Sequence, residues 1–460
     1  MCAVAYEDLI IGTGQAGPPL AARLSAAGRR VAIIERGAFG GTCVNNGCTP
    51  TKAMVASAYA AHLARRAADY GVDAGPVRVD MRQVKARKDA IVTRSRQGVE
   101  HWMRALERAT VYQGQARFTA ARTVEVGADR LTAERVFIDV GGRPLVPEMP
   151  GLNEVPFLTN IDMMAVDELP EHLIVIGGSY IGLEFGQMFR RFGSRVTIVE
   201  MQPRLIGRED PDVCDAVQGI LEAEGIDIRL NAKCVEVARD NGAGIAVKLD
   251  CAHGTPRVIG THLLLAVGRV PNTDDLGLEQ AGIAVDERGY IRVDDTLRTT
   301  AEGVYALGDC NGRGAFTHTA YNDYEIVADN LLRGTHRKVS DRVPIYALFI
   351  DPPLGRVGMT QSEAERGGLK VLTAKRPMTR VARAVEKGET QGFMKIVVEL
   401  DSRRVLGAAI LGPGGDEVVH SLVDAIYART PIDAVQHTVR IHPTVSELIP
   451  TVLAELAPPV

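Results

Sequence analysis

The stretch Asp8-Leu9-Ile10-Ile11-Gly12-Thr13-Gly14-Gln15-Ala16-Gly17 delivers a short apolar strand into three glycines spaced G-x-G-x-x-G, and its reading decides the fold. The first glycine permits a tight strand-to-helix turn, the second lets a pyrophosphate approach the backbone, and the third lets the following helix lie close on the sheet. A helical run through Ala26 leads to a second strand, Val31-Ala32-Ile33-Ile34-Glu35, whose terminal acid suits ribose hydroxyls. The arrangement returns as Leu173-Ile174-Val175-Ile176, then Gly177-Gly178-Ser179-Tyr180-Ile181-Gly182, then Val196-Thr197-Ile198-Val199-Glu200. Gly12, Gly17 and Glu35 are matched at one constant offset by Gly177, Gly182 and Glu200. A lone glycine motif is weak evidence, but strand, glycines, helix and acid occurring twice imply two dinucleotides, each with its pyrophosphate on a helix N-terminus. Ser179, in the second glycine's place, adds a side chain beside the second pyrophosphate. Glu200 favours NADH over NADPH because a carboxylate repels a 2′-phosphate, while Arg204 pulls the other way.

Outward from these motifs, 460 residues suffice for two to four domains with separate cores. A net charge of −4, with 46% apolar and 24% charged residues, describes globular material without a basic stripe for nucleic acid. No apolar run approaches the ~18 residues of a membrane span. Glu7 and Asp8 stand where a secretory leader would carry Lys or Arg, so a cytoplasmic protein with neither nucleic-acid nor membrane partners is expected.

Seven cysteines lie at positions 2, 43, 48, 214, 234, 251 and 310, and only Cys43 and Cys48 are close in sequence. In a reducing compartment such a pair points to catalysis. Five residues of separation set two helical side chains ~140° apart, so Cys43 is expected in a distorted first turn of a helix that continues from Ala53 to Ala68. At a helix N-terminus, with Lys52 one turn on, a thiol has a depressed pKa. Cys214, Cys234 and Cys251 lack ligand spacing and no metal site is expected, while Cys310 reads as a small buried residue. His318 reads as a structural histidine, the basic run Arg376–Arg383 as a solvated face, 80–109 as an amphipathic helix without assigned function, and Asp416 to Ala428 as a helix.

The run Gly41-Thr42-Cys43-Val44-Asn45-Asn46-Gly47-Cys48-Thr49-Pro50-Thr51-Lys52 closely resembles the redox-active segment of the FAD-dependent pyridine nucleotide–disulfide oxidoreductases. Thr300-Ala301-Glu302-Gly303-Val304-Tyr305-Ala306-Leu307-Gly308-Asp309 is similar to that family's second flavin motif, Val267-Gly268-Arg269-Val270-Pro271-Asn272 to its return crossover, and His442-Pro443-Thr444-Val445-Ser446-Glu447 to its C-terminal acid–base segment. The resemblance implies an α/β fold with two Rossmann-like dinucleotide-binding domains, for FAD and NAD(P), and a C-terminal α+β dimerisation domain. It divides the chain into residues 1–150 and 271–342 for FAD, 151–270 for NAD(P), and 343–460 for the interface.

The same resemblance implies the chemistry. Hydride passes from NAD(P)H to the flavin, beside a Lys52–Glu184 pair and under Tyr180, and electrons go on to a Cys43–Cys48 disulfide. Cys48 is implied as the charge-transfer thiolate, Cys43 as the interchange thiol that meets the acceptor, and His442, oriented by Glu447, as the base supplied by the other subunit of an obligate homodimer. Asp309 is implied at the ribityl chain, and Thr42, Ala116 and Gly268 complete the cofactor-binding positions. Asp351-Pro352-Pro353-Leu354-Gly355-Arg356-Val357-Gly358-Met359-Thr360 and Lys387–Lys395 look most like the mercuric-reductase-like branch, which includes reductases of hypothiocyanous acid. The sequence given ends Leu453–Val460 without the vicinal cysteine pair of true mercuric reductases, and it carries a His-Pro-Thr segment that they lack, which points away from mercury. The expected substrate is a small thiol-reactive acceptor: a disulfide, hypothiocyanous acid or a metal ion. The alternatives are a dihydrolipoamide dehydrogenase, a true mercuric ion reductase and, remotely, a non-catalytic flavin-binding sensor.

Overall fold

The computed structural model describes residues 4–240, 242, 244–251 and 256–459; Cys2 lies outside them, as does the side chain of Cys251. The opening motif folds as strand β1 (Val4–Ile11), helix α1 (Gly17–Ala26) and strand β2 (Val31–Glu35). β1 pairs in parallel with β2 on one side and with Asp129–Ile138 on the other. Leu9 and Ile10 are accordingly buried on both faces of the sheet, which is why this run reads as unbroken hydrophobicity rather than alternation. α1 carries Pro18 and Pro19 directly after Gly17, residues suited to a first turn whose N–H groups have no intrahelical partner.

Seven strands make this first sheet, and the last to join, Val304–Ala306, comes from far along the chain and pairs with Asp129–Ile138. Between them the chain builds a second, four-stranded parallel sheet, ordered Asp227–Arg229, Arg195–Val199, His172–Ile176, His262–Leu265. The outgoing Gly142–Pro144 and the returning Arg269–Pro271 run antiparallel to one another, so the two crossings are tied side by side. Ile345–Leu348 and Leu354–Gly358 begin a five-stranded antiparallel sheet, packed on its helices through Val357, Met394, Ile396, Ile410 and Leu422.

Three helical expectations need correction. The two cysteines do not share one distorted helix: Cys43 lies in a separate short helix α2 (Gly41–Asn45), and α3 (Cys48–Arg65) begins at Cys48 itself. The break falls at Gly47, where a Cβ would meet the Thr42 carbonyl at 2.8 Å. α3 stops at Arg65 rather than Ala68 because the chain tightens into a 3₁₀ turn, Ala67–Tyr70, closed by left-handed Gly71. The amphipathic helix runs Met81–Arg104, capped by Asp80 accepting from the Arg82 and Gln83 N–H groups, and ends before 109 because Ala109 is already paired with Val31. The run from Asp416 to Ala428 forms two helices, Gly415–Val418 and His420–Tyr427, which meet where the Leu422 N–H bonds the Val419 carbonyl one residue early.

Candidate active site

The sequence repeat is reproduced in the backbone hydrogen bonds to its two acids. Glu35 accepts from the Thr13 N–H at 3.0 Å and the Gly37 N–H at 2.8 Å; Glu200 accepts from the corresponding Gly178 and Gln202 N–H groups at 2.7 and 2.8 Å. A Cβ on Gly12 would meet the Asp139 carbonyl at 2.2 Å, and one on Gly177 the Ala266 carbonyl at 2.4 Å. Gly17 and Gly182 press on the Gly12 and Gly177 carbonyls in the same way, at 2.3 and 2.0 Å. Where the halves differ, the reason is local. A Cβ at Gly14 would lie 2.9 Å from the Asp139 carboxylate, whereas the second unit carries Ala266 in that place, and Ser179 sits there in extended backbone.

The first unit opens into a cavity of about 700 Å³ that runs from Glu35 past Gly12 and Gly14 to Cys43 and Cys48. Gly41 lets α2 approach the fingerprint, since its Cβ would fall 2.8 Å from the Gly14 Cα. Thr42 and Ala116 line the walls, as does Asp309, where burial raises the carboxyl pKa against the pull of the Arg269 guanidinium 3.8 Å away. A long cleft with a ribose-accepting acid and a helix N-terminus at one end and two thiols at the other suits an extended dinucleotide whose ring system reaches the thiols.

At that end Cys48 stands at the first position of α3. The hydrogen bond from the Cys43 thiol, the Thr317 hydroxyl 3.4 Å away and the positive Lys52 together lower its pKa to about 6. Cys43 shifts the opposite way, pushed up by its hydrogen bond to Cys48 and then by burial, so the pair holds one proton and one negative charge across neutral pH. Lys52 Nζ lies 2.6 Å from Glu184 Oε2 and 4.4 Å from the Phe349 ring centroid, and the other Glu184 oxygen accepts from the Phe349 N–H at 3.0 Å. Glu184 is only 5% exposed while Lys52 is 33% exposed, so loss of Lys52 would leave a buried carboxylate in the wall with the Phe349 N–H as its remaining partner. Tyr180 also lines this end.

Several positions named from sequence lie elsewhere. Gly17 sits beneath the cavity, donating its N–H to Asp139 at 2.8 Å. Gly177, Ser179, Gly182 and Glu200 form the mouth of the second unit, with Gly268 just beyond its last strand, accepting from the Leu145 N–H. His442 Nδ1 stands 3.0 Å from both Glu447 carboxylate oxygens, yet neither residue lines the dithiol cavity of its own chain. The nearby Val439 and Ile441 are 100% and 80% exposed, an apolar face turned to solvent.

His318 Nε2 donates to the Ile345 carbonyl at 2.8 Å, and burial lowers its pKa. Cys310 is buried, with its thiol pKa raised. Cys214 and Cys234 are pushed up to about 11 by burial. Among the described residues no group of His, Cys, Asp and Glu side chains could hold a metal ion, and no helix is long and apolar enough to cross a membrane. Sequence reasoning passed over Asp139, Thr317, Tyr346 and Phe349, all of which line the cavity. Only Asp139 left a signal, an acid ending the apolar strand Phe137-Ile138; burial raises its pKa well above the usual carboxylate range.

Comparison with known proteins agrees with this geometry. Residues 6–323 match the family model of the pyridine nucleotide-disulphide oxidoreductases, and residues 345–453 match the dimerisation domain of the same family. The Escherichia coli protein RclA, described as a probable pyridine nucleotide-disulfide oxidoreductase, is 36% identical over 96% of this chain and 97% of its own. A mercuric reductase of Streptomyces lividans is 33% identical over 96% and 94%, and a dihydrolipoyl dehydrogenase of Haloferax volcanii 33% over 97% and 95%. The solved structure of the HOCl-induced flavoprotein disulfide reductase RclA from Escherichia coli superposes with a TM-score of 0.89 at 34% identity, over 98% of this chain and 99% of that one. With two Rossmann-like units, a dithiol at the end of the first and a dimerisation domain behind them, the chain belongs to the pyridine nucleotide-disulphide oxidoreductases, flavoenzymes that use FAD and a pyridine nucleotide.

Proposed function

We propose that this protein takes electrons from NADH and delivers them, through a Cys43–Cys48 disulfide, to a small thiol-reactive acceptor in the cytoplasm. The observation that carries this reading is the pair of thiols, Cys43 and Cys48, standing in the same cavity as the Lys52–Glu184 pair at the end of the first dinucleotide cleft. FAD, when bound, supplies the two-electron relay between nicotinamide and disulfide. Residues 1–150 and 271–342 hold it, residues 151–270 hold the nicotinamide dinucleotide, and residues 343–460 form the interface. Tyr180 covers the nicotinamide site, and the Lys52–Glu184 pair fixes its polar floor. Cys48 keeps the thiolate, and Cys43 engages the acceptor. His442, oriented by Glu447 and contributed by a second copy of the chain, takes and returns the thiol proton, so the homodimer is obligate for turnover.

The acceptor class follows from chemistry and relatives together. A dithiol with one low-pKa member reduces disulfides, oxidised halogen species and thiophilic metal ions alike. The RclA structures are described as HOCl-induced and as Cu(II) complexes, which supports thiol-reactive oxidants and redox metals. A dihydrolipoamide dehydrogenase is the second reading, favoured by the His442–Glu447 pair and by Glu200. Anaerobic NADH oxidation by the purified protein, offered hypothiocyanous acid, lipoamide or Hg(II) in excess thiol, tests them. Turnover of hypothiocyanous acid with Hg(II) only inhibiting is expected. Preferred lipoamide turnover would favour the second reading, sustained Hg(II) turnover would make this a mercuric reductase, and no turnover of any acceptor would defeat the proposal.

The choice of NADH rests on Glu200, held by two backbone N–H groups, and on Arg204, whose guanidinium is engaged by Asp215 at 3.2 Å. Glu200→Ala is expected to lower the ratio of NADH to NADPH catalytic efficiency at least about tenfold, the scale of one hydrogen bond to a charged group. An unchanged ratio would overturn the NADH assignment.

A further inference from the structure

Glu209 and Arg356 are buried together, with Arg356 lining the cavity and Glu209 behind it, yet the chemistry proposed above gives them no part. Glu209 precedes the helix Pro211–Ala223 of the second unit, while Arg356 lies on Leu354–Gly358 of the C-terminal sheet, so the pair joins two units. Arg356 Nε stands 3.4 Å from Glu209 Oε1, and Nη1 donates to the Ala408 carbonyl at 2.8 Å. The two side chains are 4% and 2% exposed, and one polar atom of each, Arg356 Nη2 and Glu209 Oε2, is buried without a partner. A pair retained for stability alone would be poorly chosen: taking two charges out of water is costly, and apolar residues of the same volume serve as well. What the pair does achieve is directional. The Tyr346 hydroxyl donates to Glu209, and the Tyr346 ring lies parallel to Phe316, with centroids 5.8 Å apart and planes at 3°. Phe316 in turn packs against Tyr180 at 5.7 Å. A continuous run of contacts therefore leads from the ion pair to the ring at the nicotinamide end of the cavity.

We propose that Glu209 and Arg356 are positioning residues: by anchoring the Tyr346 hydroxyl they fix the Tyr346–Phe316 stack, which sets the resting place of the Tyr180 ring and hence the affinity for the nicotinamide end of the dinucleotide. The inference rests on the reading that Tyr180 covers that site. It makes the C-terminal sheet a determinant of nicotinamide binding, although most of the dinucleotide is held by the second unit.

Tyr346→Phe keeps the ring and its stack and removes only the anchoring hydroxyl, whereas Arg356→Met removes the cation with little change in length. Titration calorimetry on the FAD-loaded dimer compares NAD⁺ with ADP-ribose, which lacks the nicotinamide ring. The Kd for NAD⁺ is expected to rise about fivefold in both variants, the scale of a lost aromatic contact, with the Kd for ADP-ribose unchanged. Anaerobic flavin bleaching by NADH slows in parallel. Equal losses for NAD⁺ and ADP-ribose, or no loss for either, would overturn the positioning role. A wild-type protein whose flavin NADH does not bleach would instead overturn the proposed function beneath it, so the two failures are told apart before any variant is made.

Discussion

Cys48→Ser is expected to lower acceptor-dependent NADH oxidation about 10³-fold or more while FAD content stays at the wild-type level, because groups that act as one chemical unit lose nearly all activity when any member is removed. Cys43→Ser is expected to do the same. Cofactor retention follows from geometry: the glycine contacts of Gly12 and Gly17 and the carboxylates of Glu35 and Asp309 do not involve either thiol. The pH profile gives the second reading of the same prediction. The active form is the thiolate, and Cys48 holds it down to about pH 6 rather than the ordinary 9.0. Lowering the pH through about 6 protonates it, so turnover and the iodoacetamide reactivity of the reduced protein should fall together over that range and level off above it. Full acceptor reduction by Cys43→Ser would remove the disulfide from the mechanism and leave the dithiol a bystander. Loss of activity in the same variant excludes the flavin-binding sensor.

Mixing two inactive variants is the other large effect. His442→Ala alone and Cys48→Ser alone are each expected to be nearly inactive, and co-refolded or co-expressed they should regain about one quarter of wild-type activity. Random pairing on a two-fold interface makes half the dimers mixed, and each mixed dimer carries one intact site. The ground for expecting this is where the residues lie. His442 is tied to Glu447 through Nδ1, which leaves Nε2 to exchange protons, but its side chain is 73% exposed and does not line the cavity that holds Cys43 and Cys48. Val439 and Ile441 beside it offer the apolar surface that a second copy would cover. Absence of any complementation, or full activity of a chromatographically isolated monomer, would defeat the shared site.

Much of this protein is legible in its sequence. The doubled run of strand, glycines, helix and acid specifies two Rossmann-like units because backbone geometry at Gly12 and Gly177 tolerates no side chain, and such constraints are local. The dithiol segment is legible for a similar reason: the spacing of Cys43 and Cys48 and the glycines around them restrict the chain within a dozen residues. What sequence could not supply were contacts made across large separations. Nothing near Gly14 announces that Asp139 presses on it, and nothing near Ser179 announces that Ala266 leaves the space. The resemblance already implied Cys48 as the thiolate, but the Thr317 hydroxyl that joins the Cys43 hydrogen bond in holding it charged arrives from another helix, far along the chain. The Glu209–Arg356–Tyr346 network likewise exists only where the second unit meets the C-terminal sheet. Motifs written in consecutive residues determined the fold and the class of chemistry, because they act through backbone sterics; tertiary structure alone decided which distant groups tune the thiols and the shape of the nicotinamide end, because burial and electrostatics depend on neighbours that the chain brings from hundreds of residues away.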